Sequence, residues 1–220
     1  MRDVVFIINF KAYEKGIGKR AVELAKILER AKDELGCEIW VAVQPTDIYQ
    51  IAKATKLRVL AQHIDPIEFG AHTGWIHPKA IRDAGAYGTL INHSEHRLEL
   101  DQIKKTIDAA RKWDLITVVC APDLELISKI LEFNPDFIAY EPPELIGGDI
   151  SVSKAKPEIV KKAVEICKDR VPLLIGAGIK TGEDIKKGIE LGAKGFLIAS
   201  GVVKAKDPYE KMKEFTDALK

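Results

Sequence analysis

Apolar runs of four to six residues recur along the whole chain, separated by longer polar stretches. They are V-V-F-I-I-N (4–9), I-W-V-A-V (39–43), R-V-L-A-Q (58–62), G-T-L-I-N (88–92), I-T-V-V-C-A (116–121), F-I-A-Y (137–140), L-L-I-G (173–176) and G-F-L-I-A-S (195–200). None shows a clean period of two, which is the pattern of strands covered on both faces, as in a parallel sheet. The intervening segments carry a helical period instead. In A-V-E-L-A-K-I-L-E-R-A-K-D-E-L (21–35) the positions Val22, Ala25, Leu28, Ala31 and Leu35 make one apolar stripe, and Gly36 follows where a helix ends. Similar stripes lie in 101–112, 123–132, 157–168 and 183–191, and 207–219 closes the chain. Asp123, after Pro122, is placed to cap its helix, and Gly85 and Gly192 each precede a strand.

Eight strands alternating with helices, without a linker or low-complexity stretch, predict a single α/β domain over 1–220, a closed (β/α)8 barrel. A doubly wound sheet also alternates its elements; the count of eight favours the barrel. At 220 residues the chain is shorter than the ~250 typical of such barrels. Some outer helices must therefore be brief, with 77–84 the obvious candidate.

Composition narrows the partners. Lys and Arg number 34 against 33 acidic residues, so no bulk field draws the protein to nucleic acid or an anionic membrane. No apolar run approaches a membrane span, and the start M-R-D-V-V-F lacks a signal-peptide layout. Cys37, Cys120 and Cys167 are an odd, widely spaced set, which argues against disulfides or structural zinc and for a cytoplasmic address. A charged content of 30% beside only three asparagines leans toward a heat-adapted source.

In a (β/α)8 barrel, chemistry collects where the strands end. Strand 1 ends in Asn9, Phe10 and Lys11; strand 4 ends in Asn92 and His93, followed by S-E-H-R; strand 6 ends in Glu141, followed by two prolines. Strand 7 runs into Gly176-Ala177-Gly178 and strand 8 into Ala199-Ser200-Gly201. Singly, each has a bland reading: Glu141 as a solvated loop charge, His93 as a core histidine, Lys11 as an exposed lysine, the glycines as ordinary turns. Together they put a cation, an imidazole and a carboxylate on one rim. The small residues after strands 7 and 8 present unobstructed N–H groups there, suited to a phosphate dianion. His63, His72, His77, His93 and His96 crowd one third of the chain, but their spacing matches no metal-ligand pattern, and no metal centre is expected.

The ordered set N-F-K (9–11), A-H-T-G-W (71–75), N-H-S-E-H-R (92–97), E-P-P-E-L-I-G (141–147), G-A-G-I (176–179) and A-S-G (199–201) resembles the triosephosphate isomerase family in its short archaeal form, end to end. The resemblance implies a cofactor-independent interconversion of D-glyceraldehyde 3-phosphate and dihydroxyacetone phosphate through an enediolate. By position, Glu141 resembles the family's base, and His93 its neutral electrophile, roles carried over from the family's known chemistry. Lys11 resembles the cation facing the enediolate, Asn9 a polar support, and Glu95 the acidic neighbour of the histidine. Substrate contacts are implied for Asn9, Lys11, Ile146, Gly147, Gly178, Ala199 and Ser200. Pro142 and Pro143 resemble the stiff hinge of a lid ending at Gly147-Gly148, whose closure would exclude water. The lid departs from many relatives in lacking a tryptophan and in carrying Asp149 where glycine is common. The loop 65–78 resembles the one that inserts into a neighbouring protomer, with Thr73 at its tip. A homodimer is implied, and a homotetramer by the archaeal relatives. Its Phe69, Trp75 and Ile76 support the same reading, since they would make a costly exposed patch.

Two alternatives fit less well. Another phosphate-holding barrel, such as a pentose-phosphate epimerase, would need metal ligands or a pair of acids at the strand ends, and the sequence shows neither. A sugar-phosphate binding scaffold with a dead site would lack Glu141, His93 or Lys11, and all three are present.

Overall fold

The computed structural model describes residues 4–142, 155–168 and 170–220. Eight strands form a closed barrel: β1 (Val5–Asn9), β2 (Glu38–Val43), β3 (Arg58–Ala61), β4 (Gly88–Ile91), β5 (Ile116–Ala121), β6 (Phe137–Tyr140), β7 (Leu173–Ile175) and β8 (Gly195–Ile198). Each pairs in parallel with its sequence neighbours, and β1 closes on β8 with Val5 opposite Gly195 and Ile8 opposite Ile198. Every predicted strand is present. The last two stop earlier than the apolar runs do, which leaves Gly176 and Ala199 beyond them and Ser200 as the first residue of a short helix.

The missing period of two has its explanation in two cores. Side chains pointing inward, among them Val5, Ile7, Ala42, Leu60, Val118 and Leu174, fill the barrel. Their neighbours Phe6, Ile8, Val41, Val59, Val119 and Ile175 point outward into the layer between barrel and helices. Both faces are buried, so both must be apolar. Phe6 stacks on Phe196 of β8 and on Phe215, with ring centroids 5.8 and 6.3 Å apart, and this seals the outer layer where the barrel closes.

The described helices are α1 (Gly18–Leu35), α2 (Ile48–Ala54), α3 (Pro78–Asp83), α4 (Leu100–Lys112), α5 (Leu124–Leu131), α6 (Pro157–Cys167), α7 (Gly182–Glu190), α8 (Ser200–Val203) and α9 (Pro208–Asp217). Gly36 ends α1 in the left-handed region, φ 63°, with its N–H on the Lys32 carbonyl. Asp123 caps α5 by accepting the Leu126 N–H at 2.8 Å. The expected stripe of α1 is corrected by rotation. Its buried face runs through Ala21, Leu24, Ala25, Leu28 and Ala31, while Val22 and Leu35 are only half-buried at its edge. Helix α2 was not legible, because seven residues are too few to display a stripe.

The segment after β3 is closed at its base by Asp65, whose N–H donates to the Ile76 carbonyl at 2.9 Å and whose carboxylate accepts the Ile76 N–H at 2.6 Å. Two of its three apolar side chains stand out as expected, Phe69 at 71% exposed and Trp75 at 57%, whereas Ile76 is half-buried because it packs against the outer core. Thr73 is exposed between Phe69 and Trp75.

Candidate active site

Lys11 sits two residues past β1's last core position, with φ at +49°. A left-handed backbone costs a non-glycine residue roughly 1–2 kcal/mol, and polar contacts hold it there. The Lys11 N–H donates to Asn9 Oδ1 at 3.0 Å, and its carbonyl accepts Nε2–H of Gln62 at 3.0 Å and of Gln44 at 3.3 Å. Gln62 also donates to Asn9 Oδ1 at 3.3 Å. With its backbone braced, the Lys11 ammonium projects to Glu95 Oε1 at 2.8 Å.

His93 follows β4 and is buried. Its Nδ1 accepts the Glu95 N–H at 3.2 Å, so the neutral ring carries its proton on Nε2. Nε2 lies 3.6 Å from Glu141 Oε1. Burial, reinforced by the Lys11 charge and opposed by Glu95, lowers the His93 pKa to about 4. The imidazole is thus neutral at pH 7, and its approach to Glu141 is no ion pair.

Glu141 continues β6, its N–H bonded to the Ala121 carbonyl at 2.8 Å, and is 2% exposed. Burial raises its pKa to about 7, against the pull of the adjacent Cys120 thiol and of Lys11. Oε2 has no hydrogen-bond partner among the described residues. The side chain packs directly on Gly176, where a Cβ would fall 2.5 Å from Glu141 Cγ. A carboxylate buried without full satisfaction, beside a neutral imidazole and near a fixed cation, is poised to exchange a proton near neutrality.

These side chains share one cleft. Asn9, Lys11, His93, Glu141, Gly178, Ala199 and Ser200 all line about 490 Å³ of space including the mouth. The structure therefore brings together seven of the residues singled out from the sequence. Glu95 stands outside this cleft; it pairs with Lys11 and lines an adjoining cavity with Gln62, His63 and His96. Thr73, exposed on its loop, lines neither of these cavities. Ile146 and Gly147, with the lid from Pro143 through Gly148 and Asp149, lie outside the described residues. Among the described residues no group of three or more His, Cys, Asp or Glu side chains is arranged to hold a metal ion.

Gln44, Gln62 and Cys120 were not legible, because an amide or a thiol beside an apolar run carries no charge to mark it. Gln62 ends the third apolar run, and Cys120 falls one position before the end of the fifth, so strand-end position alone would have found both. Gly176 was read as a turn glycine, whereas its use here is the space it leaves for Glu141.

A family model described as Triosephosphate isomerase matches residues 4–217. The chain is 47% identical to the triosephosphate isomerase of Methanobacterium bryantii, over 98% of this chain and 96% of the relative. It is 48% identical to that of Sulfolobus acidocaldarius, over 98% and 94%. For that of Methanocaldococcus jannaschii the identity is 47%, over 96% and 98%. Matched in sequence over nearly its whole length, and folded as a closed eight-stranded barrel, the chain belongs to the triosephosphate isomerase family.

Proposed function

We propose that the protein interconverts D-glyceraldehyde 3-phosphate and dihydroxyacetone phosphate, with Glu141, His93 and Lys11 as its catalytic groups and the chain acting as one domain over 1–220. The phosphoryl group sits against the turns at Gly178 and Ala199-Ser200, and the carbonyl oxygen faces His93 Nε2–H and the Lys11 ammonium. The Glu141 carboxylate takes the proton from the carbon beside the carbonyl. The electron pair released forms the enediolate, and its negative oxygen is stabilised by the Nε2–H donor and the ammonium. His93 passes a proton from one oxygen to the other, and Glu141 returns its proton to the neighbouring carbon. Every proton that leaves is returned, and no oxidant or reductant enters. Asn9 supports Lys11, and Glu95 sets both the lysine and the imidazole tautomer.

The observation that carries this reading is the convergence of side chains from β1, β4 and β6 on one cleft, with Nε2 of His93 3.6 Å from Glu141 Oε1. Lid closure through Ile146 and Gly147 onto the phosphate is part of the proposal. The test is a coupled assay: purified protein with D-glyceraldehyde 3-phosphate, read as formation of dihydroxyacetone phosphate. Turnover competitively inhibited by inorganic phosphate supports the reading; absence of turnover in folded protein removes it.

A homodimer belongs to the same proposal. Phe69 and Trp75 expose large apolar surfaces on a loop whose base is fixed, and the cavity beside Lys11 and Glu95 would receive such a loop from a second copy. The tetramer of the archaeal form is proposed on resemblance alone. Three unpaired cysteines, Cys37, Cys120 and Cys167, favour the cytoplasm, and no helix among the described residues is long and apolar enough to cross a membrane. Heat adaptation is proposed from the 30% charged content and from helix-surface ion pairs such as Lys104–Asp108 and Lys129–Glu125.

A further inference from the structure

We infer that Asn92 is a positioning residue for the proposed isomerisation, a clasp that closes the His93-bearing loop on itself and fastens it to the strand beside Glu141. The inference rests on the function proposed above and concerns a residue that touches none of the reacting atoms.

Asn92 is buried and adopts φ +60°, a conformation that asparagine tolerates better than most side chains. Its side-chain oxygen, its side-chain amide and its carbonyl are each engaged. Its Oδ1 accepts the Leu98 N–H at 2.8 Å, which joins the start of the segment 93–98 to its end. Its Nδ2–H donates to the Cys120 carbonyl at 2.8 Å, where the β4–β5 pairing ends at Ile91 opposite Val119. Its own carbonyl accepts Arg97 Nη1–H at 3.0 Å.

Two catalytic consequences follow. The closed loop holds the Glu95 N–H on His93 Nδ1, the contact that leaves the ring's proton on Nε2 and aimed into the cleft. The bond to Cys120 sets the distance between the loop and β5, whose thiol adjoins Glu141. Removing the side chain would strand the buried Cys120 carbonyl and the partly buried Leu98 N–H, so the segment would reach for water and carry the imidazole with it. The groups facing His93 are Lys11 after β1, Glu95 and Arg97 on its own loop, and Glu141 after β6. Asn92→Gly neither removes one of them nor adds a charge, so a change in His93 titration in that variant reports its solvent access and placement.

Asn92→Gly is the discriminating variant, since glycine keeps the left-handed backbone and deletes only the clasp. Asn92→Asp is its companion: it retains an acceptor for Leu98 and sets a carboxylate oxygen against the Cys120 carbonyl. The expected result for Asn92→Gly is a kcat reduced on the order of 10–100-fold, the cost of misplacing a reacting group by up to about 1 Å. The inhibition constant of inorganic phosphate stays unchanged. The His93 ring, followed by NMR, titrates at higher pH than in the parent, moving from about 4 toward the ordinary value of 6.5. Asn92→Asp should lose as much. A folded Asn92→Gly protein with parental kcat and parental His93 titration overturns the clasp. Failure of Asn92→Gly to fold does so as well, since the residue would then be serving the barrel as a whole. If the parent lacks isomerase activity the proposed function falls, while the His93 titration still decides the clasp by itself.

Discussion

Replacing Gly176 with alanine isolates the placement of the Glu141 carboxylate from its chemistry. An alanine Cβ at position 176 would lie 2.5 Å from Glu141 Cγ and 3.0 Å from both Cδ and Oε1. Non-bonded carbons settle at roughly 3.5–4.0 Å, so the side chain must retreat by about 1 Å. Gly176 does not use the positive-φ region, so its backbone accepts alanine and the perturbation is steric. A displacement of that size is worth about 10²-fold in rate, or about 2.7 kcal/mol of barrel-borne transition-state stabilisation. The coupled isomerase assay should show this loss in kcat, while inorganic phosphate inhibits as in the parent, because the turns at Gly178 and Ala199 are untouched. A folded Gly176→Ala protein within about threefold of parental kcat would refute the reasoning, since a 1 Å error in the base would then be tolerated.

The remaining predictions concern charge and assembly. Ionisation of Glu141, with its pKa raised to about 7, should give kcat/KM an acid limb near neutrality, after allowance for the substrate phosphate with its own pKa of about 6; a limb confined to the ordinary carboxylate range near 4.5 would contradict the burial argument. The same shift affects stability. Because the folded state holds the Glu141 proton more tightly than the unfolded chain, stability falls as pH rises from 4.5 to about 7. Glu141→Gln should therefore be more stable than the parent above pH 7, by on the order of 3 kcal/mol at most, and so unfold at higher temperature, and the gap should vanish below pH 4.5. Equal thermal midpoints by calorimetry at pH 8 would count against it. Thr73→Arg should reduce the assembled mass in light scattering by driving a bulky charge into the proposed seat; an unchanged mass would remove the insertion of that loop.

The barrel was readable because parallel strands buried on both faces leave continuous apolar runs, and both cores now account for them residue by residue. Lys11, His93 and Glu141 were readable because a titratable group directly after such a run is conspicuous. The supports of these groups were not. Gln62 braces Lys11 through a backbone carbonyl, and Asn92 reaches Cys120 across 28 positions of sequence, so both depend on a pairing between strands that no local pattern displays. The offset in α1 has a similar origin: either of two adjacent lines of alanine and leucine could face the barrel, and only packing selects the one through Ala21 and Leu24.

The central claim, that one carboxylate carries a proton between neighbouring carbons of the substrate, is tested most directly in heavy water. Dihydroxyacetone phosphate incubated in D2O with the parent protein and with Glu141→Gln is followed by proton NMR. The proposal predicts deuterium at the carbon beside the carbonyl with the parent, and a rate of exchange and turnover at least ~10²-fold lower with the variant. Parental rates of both in the Glu141→Gln protein would contradict it.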